Sequence, residues 1–272
     1  MTSADDLLET VANDPAGVLL ALDFDGTLAP IVVDPTTAGV HPRSLAALDR
    51  LGPRLGGLAI ITGRPVEQVR RLGDFDAHPG LHELFVRGQY GAERWSPATG
   101  VVEGADRHDV VDRLVADLPG LLSAWGAPEA LVEDKGLAVA VHTRGLTPAA
   151  AAAVIDPLRD LARSLELTFE PGRQVYELRS ASITKSDALL DVVAGLAVHT
   201  VVFAGDDLGD LPAYDALDDL ASRGVATLKV CSASTEQDAL VARADLVLDG
   251  PDGIADWLTE LADLVDPVDA AV

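Results

Sequence analysis

Cysteine occurs once in this chain, as Cys231, so an intrachain disulfide is excluded and a reducing compartment, the cytoplasm, is the expected location. Lysine is nearly as rare: Lys135, Lys185 and Lys229 are the only ones. Basic side chains of both kinds number 20 against 44 acids, a formal net charge of -24. A surface for nucleic acid or for an anionic membrane would have to overcome that field, and neither partner is expected. Long apolar runs are missing too. The longest are short pieces such as Gly17–Leu22, far below the roughly 18 residues of a membrane-spanning helix. The segment Met1–Glu9 is acidic where a secretory signal needs basic residues followed by an apolar core. Aromatic residues make up 4% of the chain, yet 48% of its 272 residues are hydrophobic, with 24 Gly and 16 Pro. That is ordinary globular usage, sufficient for one large or two small domains, and it excludes disorder on compositional grounds.

Short apolar runs alternate with longer amphipathic stretches, the pattern of βα units and of a mostly parallel sheet covered by helices. Strands are expected at Val18–Phe24, Leu58–Thr62 and Leu84–Arg87, with a helix over Ser44–Leu55 and another opening after Gly63-Arg64-Pro65. Three more strands, Thr200–Ala204, Ala226–Val230 and Leu246–Leu248, read as the second half of the same sheet. Between the halves the texture changes. A helix over Val110–Leu122 leads to a hairpin, Leu131–Glu133 and Leu137–Thr143, turning at Asp134-Lys135-Gly136. A helix over Pro148–Ser164 precedes a second strand pair, Leu167–Glu170 and Gln174–Leu178. The expectation is a Rossmann-like α/β core from residues 1–94 and 181–272, interrupted by an αββαββ insertion over 95–180, with a loose tail from Asp266.

Asp23-Phe24-Asp25-Gly26-Thr27 stands where the first strand ends. If the chain is still extended there, the side chains of Asp23 and Asp25 share a side while Phe24 turns into the core. The carboxyl edge of an open parallel sheet is also where such folds bind ligands. An acidic turn closing a strand is the plainer alternative. Thr62-Gly63 at the next strand exit offers a hydroxyl and backbone N–H groups suited to phosphate oxygens. Lys185 opens a helical segment, where acids rather than bases are preferred. Asp206, Asp207 and Asp210 follow the strand Thr200–Ala204; helix caps and a solvated loop are an equal reading of that cluster taken alone. Were all these acids to converge on a phosphate, each like pair at 4 Å would cost about 4 kcal/mol at an effective dielectric near 20. A divalent cation is then required, and ligands that are all oxygen select Mg2+ over zinc. In that arrangement Asp23 attacks phosphorus, Asp25 protonates the leaving alcohol and then activates water, and Lys185 neutralises charge.

Four segments, Asp23-Phe24-Asp25-Gly26-Thr27-Leu28, Thr62-Gly63-Arg64, Lys185 and Gly205-Asp206-Asp207, resemble in order the four motifs of the haloacid dehalogenase superfamily. Within it the chain is similar to the trehalose-6-phosphate phosphatases, through Ala29-Pro30-Ile31, Gly88-Gln89-Tyr90-Gly91-Ala92-Glu93, Val132-Glu133-Asp134-Lys135, His142-Thr143-Arg144 and Tyr176-Glu177-Leu178-Arg179. The resemblance runs from about residue 17 to 250. It implies a Mg2+-dependent phosphatase acting on a small-molecule sugar phosphate, trehalose 6-phosphate, with an inserted α/β cap closing over the sugar. It also implies site residues. Asp23, Asp25, Thr62 and Lys185 act in catalysis. Gly26, Thr27, Gly63, Arg64, Glu133, Lys135, Arg173 and Glu177 meet the substrate. Asp23, Asp25, Asp206, Asp207 and Asp210 serve the metal, with Asp206 favoured as direct ligand. For the cap residues, a surface ion pair between strands worth about 0 to 1 kcal/mol is the alternative.

The chain departs from that pattern in three places. Gly209 and Leu211 flank Asp210 where the phosphatases carry Thr and Glu; Ser186 replaces a Gly after the lysine; Ser180 replaces a Pro. These changes bear on sugar selectivity and rate more than on reaction class. Two neighbouring functions are a phosphatase of another sugar phosphate and a catalytically idle sugar-phosphate sensor. A phosphoryl-accepting receiver is disfavoured, because it needs no acid two positions after the phosphorylated Asp and carries no insertion of this size.

Overall fold

The computed structural model describes residues 4–32, 34–104, 107–172, 174–180, 183–233 and 238–265. Val18–Leu22 is apolar and buried at every position, as a strand covered on both faces must be. It forms β1, preceded by helix α1 (Ala4–Asn13) and followed by α2 (Pro42–Leu51), β2 (Gly57–Ile61), α3 (Val66–Gly73), β3 (Phe85–Gly88), β4 (Glu93–Trp95) and β5 (Glu103–Gly104). Side chains alternate across β1. Val18, Leu20 and Leu22 pack in one core layer with α2, while Leu19 and Ala21 enter the other.

The intervening segment is α4 (Asp109–Ala124), β6 (Leu131–Asp134), β7 (Ala138–His142), α5 (Pro148–Ala153), α6 (Ile155–Ser164), β8 (Thr168–Gly172) and β9 (Val175–Arg179). It makes its own antiparallel sheet, ordered β6-β7-β9-β8. Val139, Val141 and Leu178 share one face of this sheet and pack on Val111, Leu114, Leu118 and Leu158 of the helices. The single helix expected over Pro148–Ser164 is interrupted at Val154. Pro157, which has no N–H and whose ring crowds the carbonyl four residues back, falls in the first turn of α6, where both are tolerated.

The chain returns through α7 (Lys185–Ala194), β10 (Thr200–Gly205), α8 (Leu211–Ser222), β11 (Ala226–Ala233), α9 (Asp238–Val241), β12 (Leu246–Asp249) and α10 (Gly250–Val265). The large sheet is ordered β12-β11-β10-β1-β2-β3-β4-β5. β1 pairs in parallel with β2 on one side and with β10 on the other. Strand order therefore reverses at β1, and the crevice at its carboxyl end is the switch point where open α/β sheets take ligands.

The described residues divide into two compact units, 1–103 with 184–272 and 104–183. The first crossing comes later than the expected position 95, because Glu93–Trp95 pairs antiparallel with β3 and Trp95 is buried in the larger core. The second comes after 183 rather than 180. The tail from Asp266 lies outside the described residues. Among them, no helix is long and apolar enough to cross a membrane.

Candidate active site

β1 ends at Leu22, one step before the first acid, although Asp23 N–H still donates to Ala204 O at 2.8 Å. The chain then closes a tight loop. Leu28 and Ala29 N–H donate to Phe24 O at 3.0 and 2.8 Å, Gly26 N–H donates to Ala29 O at 2.7 Å, and Gly26 takes φ +71°. Phe24 is fully buried, as expected. The two acids take different partners as the loop leaves the extended path. Asp23 meets Lys185, whose Nζ donates to its Oδ1 at 2.6 Å. Asp25 meets Arg64, whose Nε and Nη2 donate to its two oxygens at 2.7 and 2.5 Å.

Lys185 sits at the first position of α7 because Thr184 and Asp187 form a capping box: Asp187 N–H donates to Thr184 Oγ1 at 3.4 Å, and Thr184 N–H to Asp187 Oδ2 at 2.9 Å. The Thr184 hydroxyl and main chain hold the Asp187 carboxyl below its usual range. Thr184→Ala is therefore expected to lower stability at neutral pH by about 1 kcal/mol in urea unfolding. A carboxyl lowered by folding stabilises above its unfolded pKa and ceases to do so as pH falls. The gap between the two proteins should thus narrow below about pH 4.

The Lys185 ammonium also donates to Asp210 Oδ1 at 2.6 Å. Asp210 is completely buried, and its other oxygen accepts the N–H groups of Asp206 and Asp207 at 2.9 and 3.2 Å. That bond set folds the loop after β10 back on itself and aims Asp206 across Gly26, where a Cβ would collide with its carboxylate. The departures at Gly209 and Leu211 leave Asp210 in place. Gly209 N–H donates to Asp207 Oδ1 at 2.8 Å, and Leu211 begins α8. Ser232 on β11 secures the other wall by donating to Gly26 O at 2.6 Å.

One carboxylate oxygen from each of Asp23, Asp206 and Asp210 lies within 4.8 Å of the others. Burial pushes the Asp23 carboxyl well above its usual range, against the pull of Lys185 and with added repulsion from Asp210 and Asp207. Burial, then Asp207 and Asp23, push Asp206 the same way. Asp207 is pushed up to about 6 by burial and Asp210. Burial works against the charge on Lys185, yet Asp210 and Asp23 outweigh it and keep the amine firmly protonated. One ammonium does not neutralise this set, and an oxygen-only donor set of this size fits a hard divalent cation. Of the five acids expected to serve the metal, the geometry gathers three; Asp25 is occupied by Arg64, and Asp207 caps its own loop.

Thr62 is buried at the end of β2, and its Oγ accepts Arg64 N–H at 3.1 Å. Arg64, expected to meet the substrate, is engaged by the loop after β1. Its side chain is 7% exposed, and its guanidinium binds Asp25 by two bonds, donates to Pro35 O at 3.0 Å and lies over the Phe24 ring. A planar fork matched to a carboxylate explains the preference. Thr27 is likewise not at the surface: its side chain is wholly buried and its hydroxyl has no partner among the described groups.

In the 104–183 unit, Glu133 and Glu177 flank Ala140 on one face of the sheet. Lys135 binds Glu177, and His142 Nε2 lies 2.8 Å from Glu133 Oε2. The Lys135–Glu177 side chains are only 13% and 8% exposed, so this is not the solvent-screened surface pair of the plainer reading. Arg173 lies outside the described residues. The partners Ser232 and Arg64–Asp25 carry no signal in sequence spacing, because serine and arginine have many uses at strand ends.

Residues 21–246 match the family described as trehalose-phosphatase. The chain belongs to that family. A probable trehalose-phosphate phosphatase of Sinorhizobium fredii is 32% identical over 218 residues, covering 76% of each chain. The trehalose-phosphate phosphatase of Mycobacterium tuberculosis is 29% identical over 266 residues, and the present chain covers 62% of its length. Among solved structures, the Candida albicans trehalose-6-phosphate phosphatase C-terminal domain superposes with a TM-score of 0.76 at 18% identity, covering 96% of this chain and 97% of that one. A haloacid dehalogenase-like hydrolase from Bacteroides thetaiotaomicron gives 0.60 at 15% identity, covering 88% and 97%. The fold of this trehalose-phosphatase family member is thus the haloacid dehalogenase-like α/β core with an inserted cap, and the family is one of phosphoric monoester hydrolases.

Proposed function

We propose that the protein hydrolyses trehalose 6-phosphate to trehalose and phosphate through an aspartyl-phosphate on Asp23, with Mg2+ as cofactor and in the cytoplasm. The observation that carries this reading is the Asp23 carboxylate, held at 2.6 Å by Lys185 beside Asp206 and Asp210 at the switch point of the sheet. Asp23 attacks phosphorus as the bond to the sugar oxygen breaks, and the departing alkoxide takes a proton from Asp25. A water molecule then gives its proton to Asp25 and attacks the aspartyl-phosphate, restoring both carboxyl groups. Arg64 fixes Asp25 by two bonds, and Lys185 holds compensating charge beside the transferring group. Asp23, Asp206 and Asp210 would hold the magnesium ion, which when bound supplies fixed positive charge among these acids and the phosphate. Glu133, Lys135 and Glu177, together with Arg173, are assigned to the sugar by the family resemblance; paired donors and acceptors suit a polyol. A lone, buried Cys231, its thiol pushed up to about 11 by burial, fits a reducing compartment.

The test is inorganic phosphate release from a panel of sugar phosphates, with and without magnesium. Trehalose 6-phosphate should be turned over at least about tenfold faster than glucose 6-phosphate, a margin that recognition of a second sugar ring readily supplies. Chelation by EDTA should stop release, and added magnesium should restore it. Preference for another sugar would reassign the substrate; binding without release would make the protein a sensor.

A further inference from the structure

Two adjacent residues that are not glycine, Gln89 at φ 47° and Tyr90 at φ 62°, both occupy the left-handed region. Such backbone is held only where its surroundings over-determine it. Here they do. Gln89 N–H donates to Arg64 O and Tyr90 N–H to Thr62 O, both at 2.8 Å. The Gln89 side chain donates to Glu93 Oε1 at 2.8 Å, and Glu93 Oε2 accepts Val66 N–H at 2.6 Å at the start of α3. The strained pair is therefore tied at three points to the turn that follows β2, and it lays the Tyr90 ring on Gly63. A Cβ built on Gly63 would stand 2.9 Å from both Cζ and Oη of that ring. Gly63 itself has no positive φ, so its lack of a side chain is explained by the ring and not by its backbone.

We infer that Tyr90 is a positioning residue for the phosphate-binding turn: its ring, carried by the strained Gln89-Tyr90 step, fixes the main chain of Thr62 and Gly63 so that the Gly63 N–H and the Thr62 hydroxyl face phosphate, while the Thr62 N–H stays bound to Arg87 O. The role rests on the proposed phosphatase reading only in taking this turn as the phosphate site. It does not depend on which sugar is the substrate.

The experiment measures affinity for inorganic phosphate by calorimetric titration of the full chain in magnesium buffer, alongside urea unfolding. Tyr90→Asn tolerates the left-handed backbone but removes the ring, and it should weaken phosphate binding at least about fivefold with little change in unfolding midpoint. Tyr90→Phe should recover most of that loss. Gly63→Ala should weaken binding at least about tenfold in the parent, where the new methyl meets the ring, and by much less in the Tyr90→Asn background. An equal penalty for Gly63→Ala in both backgrounds would overturn the proposal. So would a Tyr90→Phe protein as weak as Tyr90→Asn, which would make the hydroxyl itself the phosphate contact. Because phosphate binding is read directly, the role of Tyr90 is tested even in a protein that fails to hydrolyse trehalose 6-phosphate.

Discussion

Asp23→Asn is expected to reduce phosphate release by about four orders of magnitude or more, to background in a standard assay. The amide matches the carboxylate in shape, but it is a poor nucleophile and cannot form the aspartyl-phosphate. The fold should survive, because Lys185 keeps its second partner, Asp210, at 2.6 Å. Removing one charge also relieves part of the repulsion at Asp206, whose carboxyl is pushed up by burial, then by Asp207 and Asp23. Equal unfolding midpoints with and without the substitution, combined with lost turnover, are the expected pair of results. Turnover retained by the variant would remove Asp23 from the nucleophilic role.

Lys185→Met should damage activity and stability together. The ammonium lies between Asp23 and Asp210, with all three side chains at most 6% exposed. Deleting one member of a buried ionic set strands the others, at a cost of about 3 kcal/mol. Loss of a preorganised charge beside the transferring phosphoryl group should lower kcat by about 10²- to 10³-fold. The two effects separate with pH. Asp23 and Asp206 have raised folded pKa values, so the folded state binds more protons than the unfolded one, and stability is lost as pH rises through that window. The variant, with less compensating charge, should recover stability toward acid pH more steeply than the parent. Urea unfolding at pH 5 and pH 8 measures this; a pH-independent deficit would assign Lys185 a packing role only.

Much of the core was legible because each signal is local. An apolar run of strand length buried on both faces announces β1, and Gly63-Arg64-Pro65 both stops β2 and starts the helix after it. The Asp23, Thr62, Lys185 and Asp206 segments each stand at a strand exit or helix start, so the topology that unites them could be inferred once the strands were placed. What escaped depends on contacts that no spacing encodes. The loop after β1 turns at Gly26, and there Asp25 takes Arg64 as its partner. β4 carries Arg94 next to a short turn and has no alternation long enough to mark a strand; its pairing with β3 is a tertiary outcome. The break at Val154 leaves Pro157 in the first turn of α6, but a proline alone does not mark a break, since α4 runs through Pro119, and the alanine run before Val154 reads as helix.

The placement of β1 between β2 and β10 also governs how the molecule must be made. During synthesis β1 gains its β2 neighbour once residue 61 has emerged, whereas its opposite edge stays bare until residue 205 follows. A fully apolar strand with one unsatisfied row of main-chain groups is a ready template for another chain. Nascent protein should consequently be most prone to self-association while the inserted unit is leaving the ribosome, and translation arrested just before Thr200 should yield the species most dependent on chaperones.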